Sequence, residues 1–119
     1  FVEKAKSITF GGLDGMQKMA DIMNEIRSTS FSEIAGTKVL AQSDFVTRKK
    51  TYADGKAEDI TLPKTNAFKI HLDNGDWICV RPSGTEPKLK FYVATSKPTQ
   101  DAATALADSY LAYMENLVK

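Results

Sequence analysis

The sequence predicts an α+β fold, in which two helices cover one face of a mainly antiparallel sheet. Strand-like segments follow one another along the middle of the chain, and the tight-turn sequence Asp73-Asn74-Gly75-Asp76 joins two of them. Two other segments, near the beginning and at the end, carry apolar residues at helical spacing. Consecutive strands with a hairpin favour antiparallel pairing, and two one-sided helices need one apolar surface.

The first strand is predicted over residues 7–10, before a pair of glycines. A helix is predicted over residues 15–28, with Asp14 as its N-cap and Gln17 completing a capping box. Its apolar stripe is expected to pack on the sheet, although a methionine-rich partner surface is the alternative. The stripe consists of Met16, Met19, Ala20, Met23 and Ile26.

The next strand is predicted over residues 38–46, and the polar residues 47–66 are predicted to form a long loop. The basic cluster Arg48–Lys50 is expected to be solvated there. A further strand is predicted over residues 89–95. Thr99 is the predicted cap of a C-terminal helix that runs to about residue 118, and its apolar stripe comprises Ala103, Leu106, Tyr110, Tyr113, Met114 and Leu117.

The hairpin between these segments can be given a register. A type I′ turn centred on Asn74-Gly75 pairs Leu72 with Trp77 and Ile70 with Cys79 on one sheet face. Cys79 is then expected to face the core as a hydrophobe rather than act as a nucleophile. The single histidine, His71, is expected opposite Ile78 on the other face, in a structural or exposed role.

The composition excludes several classes of protein. Sixteen Lys and Arg residues nearly balance 15 Asp and Glu residues among 119, so there is no general basic excess for nucleic acid. One cysteine cannot form an internal disulfide, which is compatible with the cytoplasm. No apolar run approaches the roughly 18 residues of a membrane helix, so no membrane association is expected. The charged beginning at Phe1 is interpreted as a cut from a longer polypeptide.

The segment Arg81-Pro82-Ser83-Gly84-Thr85-Glu86-Pro87-Lys88 has the chemistry of an anion site. Arg81 ends a strand and offers a planar fork of donors that matches two phosphate oxygens. Ser83 and Thr85 add hydroxyl groups on the same short arc. Gly84 allows a sharp turn, in which successive backbone N–H groups can surround an anion.

Two further residues complete this loop. Lys88 brings a second positive charge, whereas the Glu86 carboxylate must point away from an anion, to a sugar hydroxyl or a neighbouring basic group. The sequence has no P-loop motif, no cluster of metal-ligating carboxylates and no second histidine. It therefore predicts a chain that holds a phosphate but carries neither catalytic nor metal-binding residues. A plain connecting loop is the alternative.

This octet resembles the phosphate-binding loop of the α-D-phosphohexomutases, in the fourth and last domain of that family. The segments Leu62–Lys69, Asp73–Trp77, Lys88–Tyr92 and Gly12–Met16 are similar to the bacterial phosphoglucomutase branch. The resemblance covers essentially the whole chain. It implies that residues 1–119 are one domain, the C-terminal domain of a four-domain chain, with a TATA-binding-protein-like α+β fold.

The resemblance also implies roles for individual residues. Arg81, Ser83, Gly84 (through its backbone) and Thr85 occupy the phosphate-contacting positions, and Lys88 matches a further basic position. Many relatives have Asn where this chain has Gly84, so a side-chain contact from that position is absent here. The domain is expected to hold the phosphate that is not being transferred.

What the resemblance implies for the parent chain is a cytoplasmic phosphoglucomutase/phosphomannomutase. Such an enzyme interconverts hexose 1-phosphates and 6-phosphates through a bisphosphate intermediate. Its phosphoserine and Mg²⁺ sites lie in the first two domains and its sugar-recognition loop in the third, so this domain alone is expected to be inactive and to bind no cofactor. Mg²⁺ and a sugar bisphosphate activator are expected for the parent, and the expected partners are a sugar phosphate and the other three domains.

The alternative is a stand-alone module that binds a phosphorylated ligand or nucleic acid on a TATA-binding-protein-like sheet. Nucleic-acid binding would require Arg, Lys and aromatic residues spread over one sheet face. The sequence is interpreted instead as concentrating positive charge at the octet, so no nucleic-acid partner is expected.

Overall fold

The computed structural model of the protein describes residues 2–83, 85–97 and 99–117. Within those residues lie eight strands and two helices. In chain order they are β1 (Val2–Thr9), α1 (Gly15–Ser28), β2 (Glu33–Ile34), β3 (Thr37–Asp44), β4 (Lys49–Tyr52), β5 (Ala57–Asp59), β6 (Phe68–Leu72), β7 (Trp77–Pro82), β8 (Lys88–Thr95) and α2 (Gln100–Leu117).

The strands form one antiparallel sheet in the order β1-β8-β7-β6-β3-β4-β5, and the short β2 pairs with β3 beside this path. Both helices pack on the same face, α1 against β7 and β8, and α2 against β8 and β1. The predicted α+β fold is therefore confirmed.

The core lies between this face and the two helices. Met19, Met23 and Ile26 of α1 are buried, so the methionine stripe packs on the sheet as predicted, although Met16 remains 46% exposed. From α2, Tyr110 and Met114 complete the layer. The sheet contributes Phe68, Ile70, Leu72, Ile78, Val80, Leu89, Phe91 and Val93.

The two predicted helix caps differ in outcome. Thr99 caps α2, because its Oγ1 accepts a hydrogen bond from the Ala102 amide at 3.2 Å. Asp14 precedes α1 but makes no side-chain capping bond, and its carboxylate lies 3.5 Å from Lys18 Nζ. The predicted capping box is wrong because Gln17 donates along the helix to Asp21 at 2.8 Å.

The predicted register of the β6–β7 hairpin is wrong by one residue. Trp77 pairs with His71 rather than Leu72, and Cys79 pairs with Lys69 rather than Ile70. The turn is a three-residue loop, because Gly75 has a φ of 91° whereas Asn74 does not adopt the positive φ that a type I′ turn requires. A one-residue shift moves every side chain to the opposite face. Cys79 therefore does not face the core.

A buried carboxylate explains why this register is preferred. Asp76 lies on the helix face, where it is 3% exposed and accepts a hydrogen bond from the Tyr110 hydroxyl at 2.9 Å. The amide of Ser96 and the side-chain amide of Asn74 also donate to it, each at 3.1 Å. The alternative register would turn Asp76 away from Tyr110 and leave that buried hydroxyl without this acceptor.

The predicted loop over residues 47–66 is wrong in its first part. Residues 49–59 form the hairpin β4–β5, with a turn at Asp54-Gly55. The residues of β4 and β5 are mostly exposed. The sequence there therefore lacks the alternation of apolar and polar residues that predicts a strand. Pairing with β3 and the ion pair between Lys49 and Asp59 hold it in place.

Candidate phosphate-binding site and the adjoining sheet face

The octet connects two neighbouring strands at the end of the sheet. Arg81 pairs with Lys90 and Pro82 with Leu89, so both sides of the loop leave from hydrogen-bonded strands. The Ser83 amide donates to the Lys88 carbonyl at 2.9 Å and closes the base of the loop. The prediction that Arg81 lies at the end of a strand is confirmed.

The far side of the loop is attached to the segment between β1 and α1. The Phe10 amide donates to the Pro87 carbonyl at 2.8 Å. Gly15 packs directly on both residues, since a Cβ there would lie 2.4 Å from the Phe10 carbonyl oxygen and 3.1 Å from Pro87 Cβ. The absence of a side chain at Gly15 thus lets α1 begin against the loop.

Inside the loop, two backbone amides converge on one oxygen. The amides of Thr85 and Glu86 lie 3.5 Å and 3.3 Å from Ser83 Oγ, which accepts from both. An oxygen of a bound anion can replace this weakly held hydroxyl, because both N–H groups already point to one place. Gly84, whose backbone was predicted to contact phosphate, lies outside the described residues. The amide of Ser83 is already engaged, so Ser83 offers its hydroxyl.

Of the two basic residues of the loop, Lys88 forms an ion pair and Arg81 does not. Arg81 is exposed, and no acidic side chain among residues 2–83, 85–97 and 99–117 pairs with it. Lys88 Nζ pairs with the Glu86 carboxylate at 3.0 Å, so Glu86 does point to a neighbouring basic group. An exposed pair of this kind contributes at most about 1 kcal/mol, so a dianion can compete for Lys88 at small cost.

Arg81 also belongs to a wider surface, which we call the open face: the sheet face opposite the helices. Alternation along β6, β7 and β8 and the observed pairings place polar and aromatic residues there. They include Lys69, His71, Trp77, Cys79, Arg81, Lys90 and Tyr92. The expectation that positive charge concentrates at the octet is therefore wrong, because Lys69 and Lys90 carry it across the sheet.

The open face contains a depression of about 430 Å³ beside the loop. The lining side chains are Lys69, Trp77, Cys79, Arg81 and Tyr92. Lys69 Nζ lies 4.7 Å from the centre of the Trp77 ring, a cation–π contact that holds the two side chains together. Sequence reasoning missed this depression because the predicted register assigned Trp77 and Cys79 to the wrong face.

Cys79 and His71, which also lie on this face, have pKa values shifted by burial. Burial raises the pKa of the Cys79 thiol, against smaller opposite effects of Lys69 and Arg81. Burial, together with Lys50 and Lys69, lowers the pKa of His71 to about 4. His71 Nε2 shares a hydrogen bond of 2.8 Å with the hydroxyl of Ser43. The raised pKa agrees with the prediction that Cys79 is not a nucleophile, although Cys79 does not face the core, and a neutral, hydrogen-bonded imidazole agrees with the structural role predicted for His71.

A larger groove, of about 800 Å³, lies at the other end of the sheet between the end of α1 and the β3–β4 strands. None of the predicted site residues lines it. Arg27 spans its wall, hydrogen-bonded to Asn66 and with its Nε 3.4 Å from Asp44. This arrangement joins α1 to β3.

Within the part of the chain that the structure describes, no group of three or more His, Cys, Asp or Glu side chains could hold a metal ion. Neither helix is long and apolar enough to cross a membrane, again for the described residues.

Comparison with known proteins assigns the family. A sequence model of the phosphoglucomutase/phosphomannomutase C-terminal domain matches residues 17–112. A phosphoglucomutase of Staphylococcus epidermidis is 47% identical over 97 residues, covering 81% of this chain and 18% of the relative. One of Staphylococcus saprophyticus is 34% identical over 119 residues, covering 99% of this chain and 21% of the relative. One of Staphylococcus aureus is 41% identical over 96 residues, covering 80% of this chain and 17% of the relative.

The chain belongs to the phosphoglucomutase/phosphomannomutase family, as its C-terminal domain. It spans about a fifth of the length of the curated relatives it matches. Among solved structures, a solution structure from Cytophaga hutchinsonii aligns with a TM-score of 0.31 and 12% identity, over 96% of this chain and 91% of that one. A likeness of this size adds nothing to the family assignment.

Proposed function

We propose that this domain holds the non-reacting phosphate of the substrate in a cytoplasmic hexose-phosphate mutase. The parent chain interconverts hexose 1-phosphate and hexose 6-phosphate through a bisphosphate intermediate. The observation that carries the proposal is the loop itself: Arg81 is unpaired among the described residues, and two amides converge on Ser83 Oγ. Mg²⁺, the phosphorylating serine and the activating bisphosphate belong to the remainder of the parent chain.

Each group of the site has a distinct task. The Arg81 guanidinium binds two phosphate oxygens and fixes the orientation of the group. The Ser83 and Thr85 hydroxyls and the amides of Thr85 and Glu86 supply further donors to the phosphate oxygens. Lys88 adds charge after exchanging Glu86 for phosphate. None of these groups attacks phosphorus, so the domain binds and positions without transferring the phosphoryl group.

The second candidate function is nucleic-acid binding on the open face. The observation in its favour is the spread of Lys69, Lys90 and the aromatic rings of Trp77 and Tyr92 across several strands. Family membership favours the mutase, and Arg81 lies at the boundary between the loop and this face. Binding of a single-stranded oligonucleotide distinguishes the two functions. A nucleic-acid-binding face would bind it through aromatic rings on several strands at once, whereas a phosphate-binding loop would not.

The test is an amide-resolved NMR titration of residues 1–119 with glucose 6-phosphate. One loop buries little ligand, so we expect roughly millimolar affinity, about −4 kcal/mol, with the largest shifts at Thr85 and Glu86. Arg81→Ala should abolish saturation. Arg48→Gly is the matched control, because it removes a guanidinium from the Arg48–Lys50 cluster at a residue whose φ of 60° suits glycine.

Two results would contradict the proposal. Shifts centred on Arg48–Lys50, lost in Arg48→Gly and kept in Arg81→Ala, would place the phosphate site elsewhere. Tight, salt-dependent binding of the oligonucleotide, with no saturable response to glucose 6-phosphate, would favour the second candidate.

A further inference from the structure

We propose that Glu86 competes with the ligand phosphate for Lys88, and that this competition limits how tightly the octet holds the phosphate. The inference rests on the proposed function, since it requires the phosphate to bind in the octet. It gives a task to a carboxylate that is otherwise out of place in an anion site. When the phosphate leaves, Glu86 pairs with Lys88 again and stabilises the empty loop.

The contact between the two side chains is the first argument. Lys88 Nζ lies 3.0 Å from Glu86 Oε2, and Lys88 has no other acidic partner among residues 2–83, 85–97 and 99–117. The main chain joins the same two residues, because the Lys88 amide donates to the Glu86 carbonyl at 2.8 Å across Pro87. The backbone of this turn is ordered before the side chains pair, which lowers the entropic cost of the contact.

The place of Glu86 within the loop is the second argument. Its amide lies 3.3 Å from Ser83 Oγ, beside the Thr85 amide at 3.5 Å, so the main chain of Glu86 forms part of the proposed anion site. Its carboxylate belongs to the same residue and repels a dianion bound there. Glu86 therefore attracts phosphate through its amide and opposes it through its side chain.

Arg81, the other basic residue of the octet, has no such competitor. No acidic side chain in the described part of the chain pairs with it, so its guanidinium is available whether or not Glu86 holds Lys88. The loop thus has one permanent cation and one exchangeable cation. In the proposed reaction, the bisphosphate intermediate presents each of its phosphates to this loop in turn. The loop must therefore release one phosphate before it binds the other, and a carboxylate that replaces phosphate at Lys88 stabilises the released state.

Neutralising Glu86 should tighten the binding of phosphate. We would titrate residues 1–119 with glucose 6-phosphate and with inorganic phosphate at low ionic strength, and follow the amide shift of Thr85. Glu86→Gln should lower both dissociation constants about two- to fivefold, the range that an exposed ion pair can supply. The gain should shrink as added salt screens the charges. Urea unfolding should show equal or lower stability, so affinity and stability change in opposite directions, and Glu86→Ala serves if Glu86→Gln folds poorly.

Two further variants assign the effect to the exchange of Lys88. Asp108→Asn is the matched control, because it removes one negative charge from an exposed ion pair with Lys4, at 2.6 Å on the helix side of the sheet. Its affinity for both ligands should stay unchanged. In a Lys88→Met background there is no ion pair to break, so Glu86→Gln should tighten binding less than it does in the unaltered domain.

The outcomes separate this inference from the proposed function. Weaker or unchanged binding in the Glu86 variants would overturn the competition, as would a loss confined to glucose 6-phosphate, which would assign Glu86 to a sugar hydroxyl. An equal gain in Asp108→Asn, or an undiminished gain in the Lys88→Met background, would reduce the effect to general repulsion and also overturn it. In all these cases the phosphate site stands. If neither ligand moves the loop amides of the unaltered domain, the proposed function itself falls.

Discussion

Arg81 is the residue at which the loop and the open face meet. Its guanidinium is exposed, and no described acidic group pairs with it, although Lys88, on the next strand, is paired with Glu86. An unpaired guanidinium does not have to break an ion pair before it binds phosphate. Arg81 is therefore the basic residue of the octet whose charge is most available to a ligand.

Replacing Arg81 should impair the parent enzyme in both reaction directions. The non-reacting phosphate of either substrate is proposed to occupy the same loop, so Arg81→Ala should cost about 1.5–3 kcal/mol, or roughly ten- to a hundredfold in kcat/KM. Arg81→Lys should restore only part of this loss, because an ammonium keeps the charge without the planar fork. Steady-state kinetics with titrated bisphosphate measures both effects, and an unchanged kcat/KM would leave the octet a plain connecting loop.

His71 should make the stability of the domain depend on pH. Its pKa is lowered to about 4 in the folded chain, from an ordinary value of 6.5. Above pH 6.5 the imidazole is neutral in both states and costs nothing. Between pH 6.5 and 4 the unfolded chain binds the proton first, so the free energy of unfolding falls as pH falls.

The expected loss over this window is on the order of 2 kcal/mol, after allowing for the partial exposure of His71 to solvent. Urea unfolding at pH 7 and pH 4.5 measures it. His71→Gln cannot titrate, so its stability should fall less over the same interval, and the difference between the two proteins removes the contribution of carboxylates. Equal losses in both proteins would show that burial does not perturb His71.

At the scale of elements, the β6–β7 hairpin shows where sequence reasoning succeeded and where it failed. The two strands that flank the tight turn were predicted and are observed, because alternating apolar residues depend only on local spacing. The register depended on the turn type, and the Asn74-Gly75 pair suits two turns whose registers differ by one residue. The buried bond between Asp76 and Tyr110, which favours one of them, joins residues 34 positions apart and is invisible to local pattern.

The junction of β1, α1 and the octet allows a matched pair of glycine variants. Gly15→Ala should destabilise the domain by about 1–3 kcal/mol, because the new methyl group would meet the Phe10 carbonyl oxygen at 2.4 Å and displace Pro87. Displacing Pro87 should also weaken phosphate binding. Gly11→Ala enters open space and should change stability by less than about 0.5 kcal/mol.

Urea unfolding and the glucose 6-phosphate titration measure the two consequences separately. Equal stability of the two variants would mean that α1 does not depend on its close approach to the loop. A destabilised Gly15→Ala with normal phosphate binding would mean that the octet is held by β7 and β8 alone.

At the scale of the whole molecule, the sequence predicted the fold class and the loop, since both depend on residues close together in the chain. The open face could not be predicted, because it is assembled from β6, β7 and β8 and requires the correct register. The β4–β5 hairpin was missed for a different reason: its strands bury too little to alternate. Trp77 and Tyr92, which line the depression beside the loop, could therefore be assigned to one surface only from the observed strand pairing.

Separated from the parent chain, the domain should bind a sugar phosphate but not transfer its phosphoryl group. Phosphoryl transfer requires an activated nucleophile or a metal ion to stabilise the transferring group. Burial raises the pKa of Cys79, the only cysteine, which disfavours its thiolate, and His71 pairs with Trp77 at the turn end of the β6–β7 hairpin, away from the octet, so neither offers a nucleophile at the loop. The separated domain should therefore bind glucose 6-phosphate weakly without converting it.

An assay of residues 1–119 with glucose 1-phosphate, Mg²⁺ and glucose 1,6-bisphosphate should give no glucose 6-phosphate, while the full-length parent supplies the positive control. Adding the separate domain to a parent lacking it should restore little activity. The phosphate-binding loop, whose affinity for the ligand is roughly millimolar, would no longer be held near the bound substrate at the high effective concentration that a covalent linkage provides. Turnover by the domain alone that disappears in Arg81→Ala would contradict this prediction, because it would place the transfer chemistry at the loop and not in the remainder of the chain.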